Sequence, residues 1–266
     1  MLLPIIKAIV LGLVEGVTEF LPISSTGHLI LVNEWVRFGD SFTKMFDVVV
    51  QLGAILAVIV FFWNKLWPFG KTEPRGQEIF AVWKKIIVGV VPAIIIGGLF
   101  GSYIESRLFN VWVVAGALVI GGLLMIYLEW RHVAPRFESV LQVPWLIAFF
   151  IGLIQCLAMI PGTSRAAATI IGAMILGTSR RVAVEFSFFL AVPTMIAASA
   201  YSLLKHSAVL SSSEIVSLIV GFITAFLIAL VVIRFFMKYI RDHSFKPFGY
   251  YRIILGVLII LYFLAV

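Results

Sequence analysis

Six stretches of the chain are apolar over enough residues to cross a hydrocarbon layer of about 30 Å, which takes about 20 helical residues. They run Met45 to Trp63, Lys84 to Ile104, Asn110 to Leu128, Phe186 to Leu204, Ile215 to Val232 and Tyr250 to Val266. Lipid offers the backbone no hydrogen-bond partners, so segments of this length cross it as helices. The 266 residues are 62% hydrophobic and 12% charged, against about 45–50% and 25% in a soluble domain. One water-facing core could not bury that much apolar surface. These features predict an all-α polytopic membrane protein. The single cysteine, Cys156, excludes a disulfide scaffold. The net charge of +7 is scattered rather than gathered into a basic tract, so nucleic acid is not an expected partner. The first apolar stretch contains Glu15 and Glu19 and no small-residue cleavage site, which reads as a retained segment rather than a signal peptide.

Two further regions are apolar but broken: Leu2 to Val36, interrupted at Leu21-Pro22, and Trp145 to Leu176, interrupted at Pro161-Gly162. A central acid costs a membrane span roughly 2.5–3.5 kcal/mol, against a gain of roughly 0.3–0.6 per strongly apolar residue. Glu15 and Glu19 together would erase most of what the first region gains. Proline removes a donor and disfavours helix at the residue before it. Each region therefore reads as a re-entrant helical hairpin, over residues 2–36 and 145–176. The two sequences also superpose, with Leu11-Gly12 on Ile151-Gly152 and Glu15 on Gln155. One residue of slack then puts Pro22 on Pro161, Ser24 on Thr163 and Ser25 on Ser164. The chain thus reads as two repeats, 1–140 and 141–266, within one integrated membrane domain. Each has one hairpin and three spans, an odd number of crossings, so the repeats have inverted topology, with their sites expected where the breaks meet at the midplane.

Fourteen of the twenty Lys and Arg residues fall on the side opposite the N-terminus, among them Lys65, Lys71, Lys84, Lys85, Arg180, Arg181 and Arg252. The other side carries Lys7, Arg37, Lys44, Arg107 and Lys205, and Arg165 stands at a hairpin tip. The positive-inside rule makes the richer side cytoplasmic and turns both termini outward.

The breaks hold the chemistry. Glu15 and Glu19 share one helix face, and paired carboxylates suit a hard cation such as Mg²⁺ or Ca²⁺ whose shell substrate phosphates complete. Ser24-Ser25-Thr26-Gly27-His28 follows, with cap-forming residues opening the returning helix. Ser25 and His28 stand three apart and could serve as nucleophile and base, or as two donors. In the second hairpin, Thr163 or Ser164 caps the next helix, and Arg165 offers a planar fork to phosphate oxygens beside the helix N-termini. A salt bridge from Arg165 to Glu15 or Glu19 is the structural alternative. Gln51 and Gln155 are supporting candidates, and Glu185 is expected to pair with Arg180 or Arg181. Together these groups suit hydrolysis of a lipid-linked phosphate. A secondary transporter or lipid translocator would use the same midplane site but release no orthophosphate, and an intramembrane protease would leave the acids and Arg165 without a role.

At EGVTEFLPISSTGH (Glu15 to His28) and PGTSR (Pro161 to Arg165) the chain closely resembles the undecaprenyl-pyrophosphate phosphatases of the bacitracin-resistance type. The resemblance covers nearly the whole chain. It implies a bacterial plasma-membrane enzyme that takes one phosphate from undecaprenyl pyrophosphate and regenerates the carrier lipid for peptidoglycan synthesis. It further implies a divalent-cation requirement and a site opening to the outer face. Its motif residues map onto Glu15, Glu19, Ser25, Thr26, His28, Ser164 and Arg165. Catalysis is accordingly expected from Glu19, Ser25, His28 and Arg165, metal binding from Glu15 and Glu19, and pyrophosphate contacts from Ser24, Thr26, Thr163, Ser164 and Arg165. One departure stands out: Ala166 and Ala167 follow Arg165, where the family continues with Ser-Gly.

Overall fold

The computed structural model describes residues 2–70, 74–131, 134–205 and 210–265. Eleven α-helices carry these residues: α1 (Leu2–Thr18), α2 (Ser25–Asn33), α3 (Asp40–Phe61), α4 (Trp63–Leu66), α5 (Arg75–Leu108), α6 (Val111–Trp130), α7 (Trp145–Gln155), α8 (Arg165–Ile175), α9 (Arg180–Lys205), α10 (Ser212–Asp242) and α11 (Lys246–Ala265). Five of them, α5, α6, α9, α10 and α11, are long and apolar enough to cross a membrane, which makes this a multi-pass membrane protein. Six such spans were expected. The remaining one falls in α3, whose apolar stretch is Met45–Phe61. At 1.5 Å per residue, 17 residues rise only about 26 Å. Lys71 and Val266, used in the expected topology, lie outside the described residues, as do the side chains of Lys44 and Lys205.

Both broken regions form helix–turn–helix hairpins. α1 stops at Thr18, and a turn through Pro22 leads into α2. α7 stops at Gln155, tightens into a 3₁₀ turn over Cys156–Met159, and resumes as α8 at Arg165. The same device opens both returning helices. Ser24 (φ 73°) and Ser164 (φ 69°) are the non-glycine residues with left-handed backbone, and each side chain caps its helix, accepting from the N–H of Gly27 at 3.3 Å and of Ala167 at 3.2 Å. Left-handed backbone costs an L-residue about 1–2 kcal/mol, and a side-chain cap contributes about 1 kcal/mol toward offsetting it. The capping serines are 140 residues apart with no slack, so Ser24 corresponds to Ser164 and Ser25 to Arg165. The expected pairing of Ser25 with Ser164 is one residue out of register, because the prolines, which guided it, are staggered by one. Gly162 (φ 88°) completes the second turn, and a Cβ there would press into the backbone of Val114, 2.7 Å from its Cα.

α9 is the central helix. In its most apolar 18-residue window 72% is buried, against 28–44% for the other four long helices, which leave Ile, Leu and Phe side chains on the outside. Phe186, Phe188 and Phe189 of α9 anchor the largest core cluster, joined by Phe20, Phe62, Phe236 and Phe245. Each hairpin docks its first helix on a long helix from the other half of the chain, α1 on α10 and α7 on α5. Glycine permits both close approaches. A Cβ on Gly12 would lie 2.7 Å from the Gly221 carbonyl oxygen, and one on Gly152 would collide with the carbonyl of Gly89. α3 packs on α10 and also meets α9, and α6 faces α11.

Ion pairs at the helix ends differ from expectation. Arg180 pairs with Glu129 (Nε–Oε1 2.8 Å), which also accepts the Phe245 N–H at 3.0 Å, while Glu185 pairs with Lys65. Glu185 lies only one turn past Arg180, but α9 turns it toward α4, which the spacing along one helix could not reveal.

Candidate active site

Glu19 lies one residue past α1, its N–H still bonded to the Glu15 carbonyl at 3.0 Å. Its side chain is buried, and each carboxylate oxygen is engaged. Oε1 accepts from Arg165 Nη2 at 3.0 Å and Oε2 accepts from the Ser25 hydroxyl at 2.9 Å. One carboxylate thus joins the two hairpin tips. Arg165 also donates through Nη1 to the Ser187 carbonyl at 3.2 Å, and its guanidinium lies 5.5 Å from the ring centre of Phe20. Behind it, Ser187 Oγ and Thr169 Oγ1 are 2.5 Å apart, and Thr169 donates to the Arg165 carbonyl at 2.9 Å. Arg165 Nε is buried without a partner. The guanidinium therefore keeps one donor unspent.

Ser25 and His28 are not bonded to each other. His28 Nδ1 is 2.7 Å from the Ser24 carbonyl, which can only accept, so this nitrogen carries the proton. In the neutral ring Nε2 is then an acceptor, and it takes the Tyr251 hydroxyl at 2.7 Å, with the two rings stacked. His28 is thus oriented by α11, and the hydroxyl of Ser25 points to Glu19.

Glu15 is fully buried one turn before Glu19, and neither of its carboxylate oxygens has a hydrogen-bond donor. Its electrostatic neighbours are Glu19, Arg165 and Asp47 of α3, whose Oδ1 is also buried without a partner. Among the described residues no three His, Cys, Asp or Glu side chains form a ready-made metal cage. The donor chemistry around Glu15, oxygen acceptors without donors, fits a hard cation held by carboxylates and completed by other ligands. Glu19 fits less well, since its oxygens are taken. Gln155 is buried, and its Nε2 donates to Thr194 Oγ1 at 3.3 Å; Gln51 is half-buried one turn past Asp47. Thr26 and Thr163 are half-buried at the two tips. Ala166 and Ala167 pack into the apolar core, so the hydroxyl missing there leaves no gap in the polar cluster.

Arg252 was expected at the cytoplasmic edge. It is instead fully buried and donates to four backbone carbonyls: Leu118 (3.3 Å), Ala117 (3.0 Å), Pro22 (3.3 Å) and Gly162 (3.2 Å). The last two belong to the two breaks, whose turns leave carbonyls that no helix can satisfy. Removing Arg252 from the charge count leaves thirteen basic residues on its side, still well above five. Asp47, Tyr251, Ser187 and Thr169 were not expected here, although Asp47, as an acid within an apolar run, has the same sequence signal as Glu15.

Fold and site together define a multi-pass helical membrane protein whose polar centre is assembled from the tips of two broken apolar hairpins. The family model described as bacitracin resistance protein BacA matches residues 8–258. The chain belongs to that family. It is 51% identical over 266 residues to an undecaprenyl-diphosphatase 1 of Clostridioides difficile, covering 98% of this chain and 97% of that protein. It is 50% identical, at the same coverage, to an undecaprenyl-diphosphatase of Lachnoclostridium phytofermentans. An undecaprenyl-diphosphatase of Acetivibrio thermocellus is 47% identical over the full length of both chains.

Proposed function

We propose that this chain hydrolyses undecaprenyl pyrophosphate to undecaprenyl phosphate and orthophosphate, returning the carrier lipid to cell-wall peptidoglycan synthesis. The observation that carries the reading is the Glu19 carboxylate, held between the Ser25 hydroxyl and the Arg165 guanidinium. Ser25 Oγ attacks the terminal phosphorus as its proton passes to Glu19, and the P–O bond to the bridging oxygen breaks to release undecaprenyl phosphate. Glu19 passes that proton to the departing undecaprenyl phosphate, then takes one from the water that cleaves the phosphoserine and returns it to Ser25 Oγ as orthophosphate leaves. Arg165 and the first-turn N–H groups of α2 and α8 ahead of the capped Gly27 and Ala167 bear the charge on the transferring group, where positioning and electrostatics dominate. Ser24, Thr26, Thr163 and Ser164 line the same tips. His28, whose Nε2 accepts from Tyr251, serves as a base, or as the leaving-group acid once Nε2 has taken up a proton. A divalent cation, Mg²⁺ or Ca²⁺, would be held at Glu15 and would supply further charge neutralisation.

Detergent-purified protein is expected to release orthophosphate from undecaprenyl pyrophosphate with Mg²⁺ or Ca²⁺ and to lose that release in chelator. With terminal-phosphate label, an acid-stable phosphoserine should be trapped on the Ser25 peptide. Full activity in Ser25→Ala would leave water as the direct nucleophile. Absence of release under every metal, from folded protein, would overturn the phosphatase reading.

Inverted repeats supply the architecture in this reading: 1–140 and 141–266, each with a re-entrant hairpin and three spans, α3 being the shortest. Supporting it are the capping serines 140 residues apart, the reciprocal docking of α1 on α10 and α7 on α5, and the contacts of α3 with α9 and of α6 with α11. The charge count turns both termini and the site outward. On a Cys156→Ser background, Leu2→Cys is expected to react with membrane-impermeant maleimide in intact cells, and Arg131→Cys only after permeabilisation. The reverse pattern would invert the topology.

A further inference from the structure

We propose that Asp47 of α3 is the second carboxylate of the cation site, with Glu15, and that Glu19 stands outside that site. The inference rests on the phosphatase reading above and concerns which residues hold its metal.

Glu15 is fully buried and both its oxygens lack a donor, an unfavourable state for a carboxylate in a low-dielectric interior unless a proton or a cation neutralises it. Arg165 is the basic group within electrostatic reach of Glu15, but its Nη2 and Nη1 donate to Glu19 and Ser187. The other two neighbours, Glu19 and Asp47, are themselves acids. They differ in what they have left to give. Glu19 has one oxygen on Arg165 and the other on Ser25, whereas Asp47 keeps Oδ1 buried and unpartnered. A cation beside Glu15 therefore finds wholly unbonded lone pairs on the Asp47 side, whereas each Glu19 oxygen already accepts a hydrogen bond and has only its second lone pair left, in a direction fixed by Arg165 and Ser25.

Two carboxylates do not complete the shell of Mg²⁺ or Ca²⁺, in keeping with the lack of a three-residue cage among the described residues. Magnesium commonly binds through one or two carboxylates plus substrate phosphates. Cation and substrate would then bind interdependently, the pyrophosphate bridging from the Glu15–Asp47 side to Arg165. Asp47 also ties α3 to this chemistry, although its sequence neighbours are those of a membrane helix.

The test uses the full-length protein in detergent and Mn²⁺ as the probe, read by electron paramagnetic resonance with and without a methylene-bridged farnesyl bisphosphonate. Mn²⁺ affinity in the presence of the bisphosphonate is expected to fall at least about 10-fold in both Glu15→Gln and Asp47→Asn, to stay within about threefold of wild type in Glu19→Gln, and to recover partly in Asp47→Glu. Wild-type Mn²⁺ affinity in folded Asp47→Asn would overturn the proposal, as would a loss in Glu19→Gln equal to that in Glu15→Gln. If Asp47→Asn does not fold, Fe²⁺-driven oxidative cleavage of the wild-type protein decides. Cuts in both α1 near Glu15 and α3 near Asp47 support the site, and cuts in α1 alone overturn it. These readouts need no turnover, so a wild-type protein that binds Mn²⁺ as described yet releases no orthophosphate would refute the phosphatase reading and leave the site standing.

Discussion

Arg165→Ala is expected to lower orthophosphate release from undecaprenyl pyrophosphate by about 1,000-fold, the range measured for removing a positioned arginine or oxyanion donor. Two losses combine. The substrate loses a permanent charge and the unspent Nε donor, and Glu19 loses the partner that keeps its buried carboxylate aimed at Ser25. Arg165→Lys keeps the charge but replaces a three-nitrogen fork with one ammonium, which cannot bond Glu19 and Ser187 together and still face a phosphate; a loss of about 100-fold is expected. Because Glu19 and Arg165 act as one unit, the double variant Glu19→Gln/Arg165→Ala should fall little below either single one. Phosphate release measured across the cycle checks this. An Arg165→Ala protein retaining more than a tenth of the wild-type rate would remove Arg165 from the reaction, and losses that multiply in the double variant would separate its role from that of Glu19.

The parts of this site that the sequence made legible are those in which the physical constraint is local. Acids within an apolar run and a proline next to cap-forming or glycine residues mark the breaks locally, whereas Pro92 and Pro193 lie inside α5 and α9, so the hairpins and the candidates Glu19, Ser25 and Arg165 could be read from short windows. The left-handed caps were half legible: serine was expected to open each returning helix, but φ is set by the turn, and the staggered prolines misaligned the register by one. Illegible were contacts made by residues far apart in sequence. Tyr251 meets His28 across 223 positions, and Arg252 reaches Pro22 across 230. Arg252 looked like a topology signal because a basic residue near the start of the last apolar span ordinarily stays in the headgroup region. Nothing near it in sequence reveals that two distant turns lack donors. The pairing of Glu185 failed for the same reason, since the nearest opposite charge along the chain is not the nearest in the fold.

Arg252 carries the largest structural effect. Its guanidinium donates to Pro22 and Gly162, the exposed backbone of the two breaks, and to Ala117 and Leu118 on α6. A carbonyl at such a turn cannot bond within a helix, and lipid offers no replacement. Arg252→Met keeps much of the volume and removes every donor, leaving several buried carbonyls without one. At about 1–3 kcal/mol for each unsatisfied group, the variant is expected to lose on the order of 3–5 kcal/mol, seen as a fall of about 10 °C in the detergent unfolding midpoint. The gain from releasing a buried, carboxylate-free charge offsets part of this, which is why the figure lies below the sum of the lost bonds. Arg252→Lys should fall between, because one nitrogen cannot span from Pro22 to Gly162. Arg241→Met serves as the control, since Arg241 sits exposed with its neighbour Asp242 as partner, and surface pairs contribute little. The two tips should also separate. Even where Arg252→Met folds, the Glu19–Arg165 link has to bring the breaks together unaided, so phosphate release should fall further than the drop in folded protein accounts for. An unfolding midpoint within about 2 °C of wild type would show that other donors satisfy Pro22 and Gly162, and that Arg252 does not set the spacing of the tips.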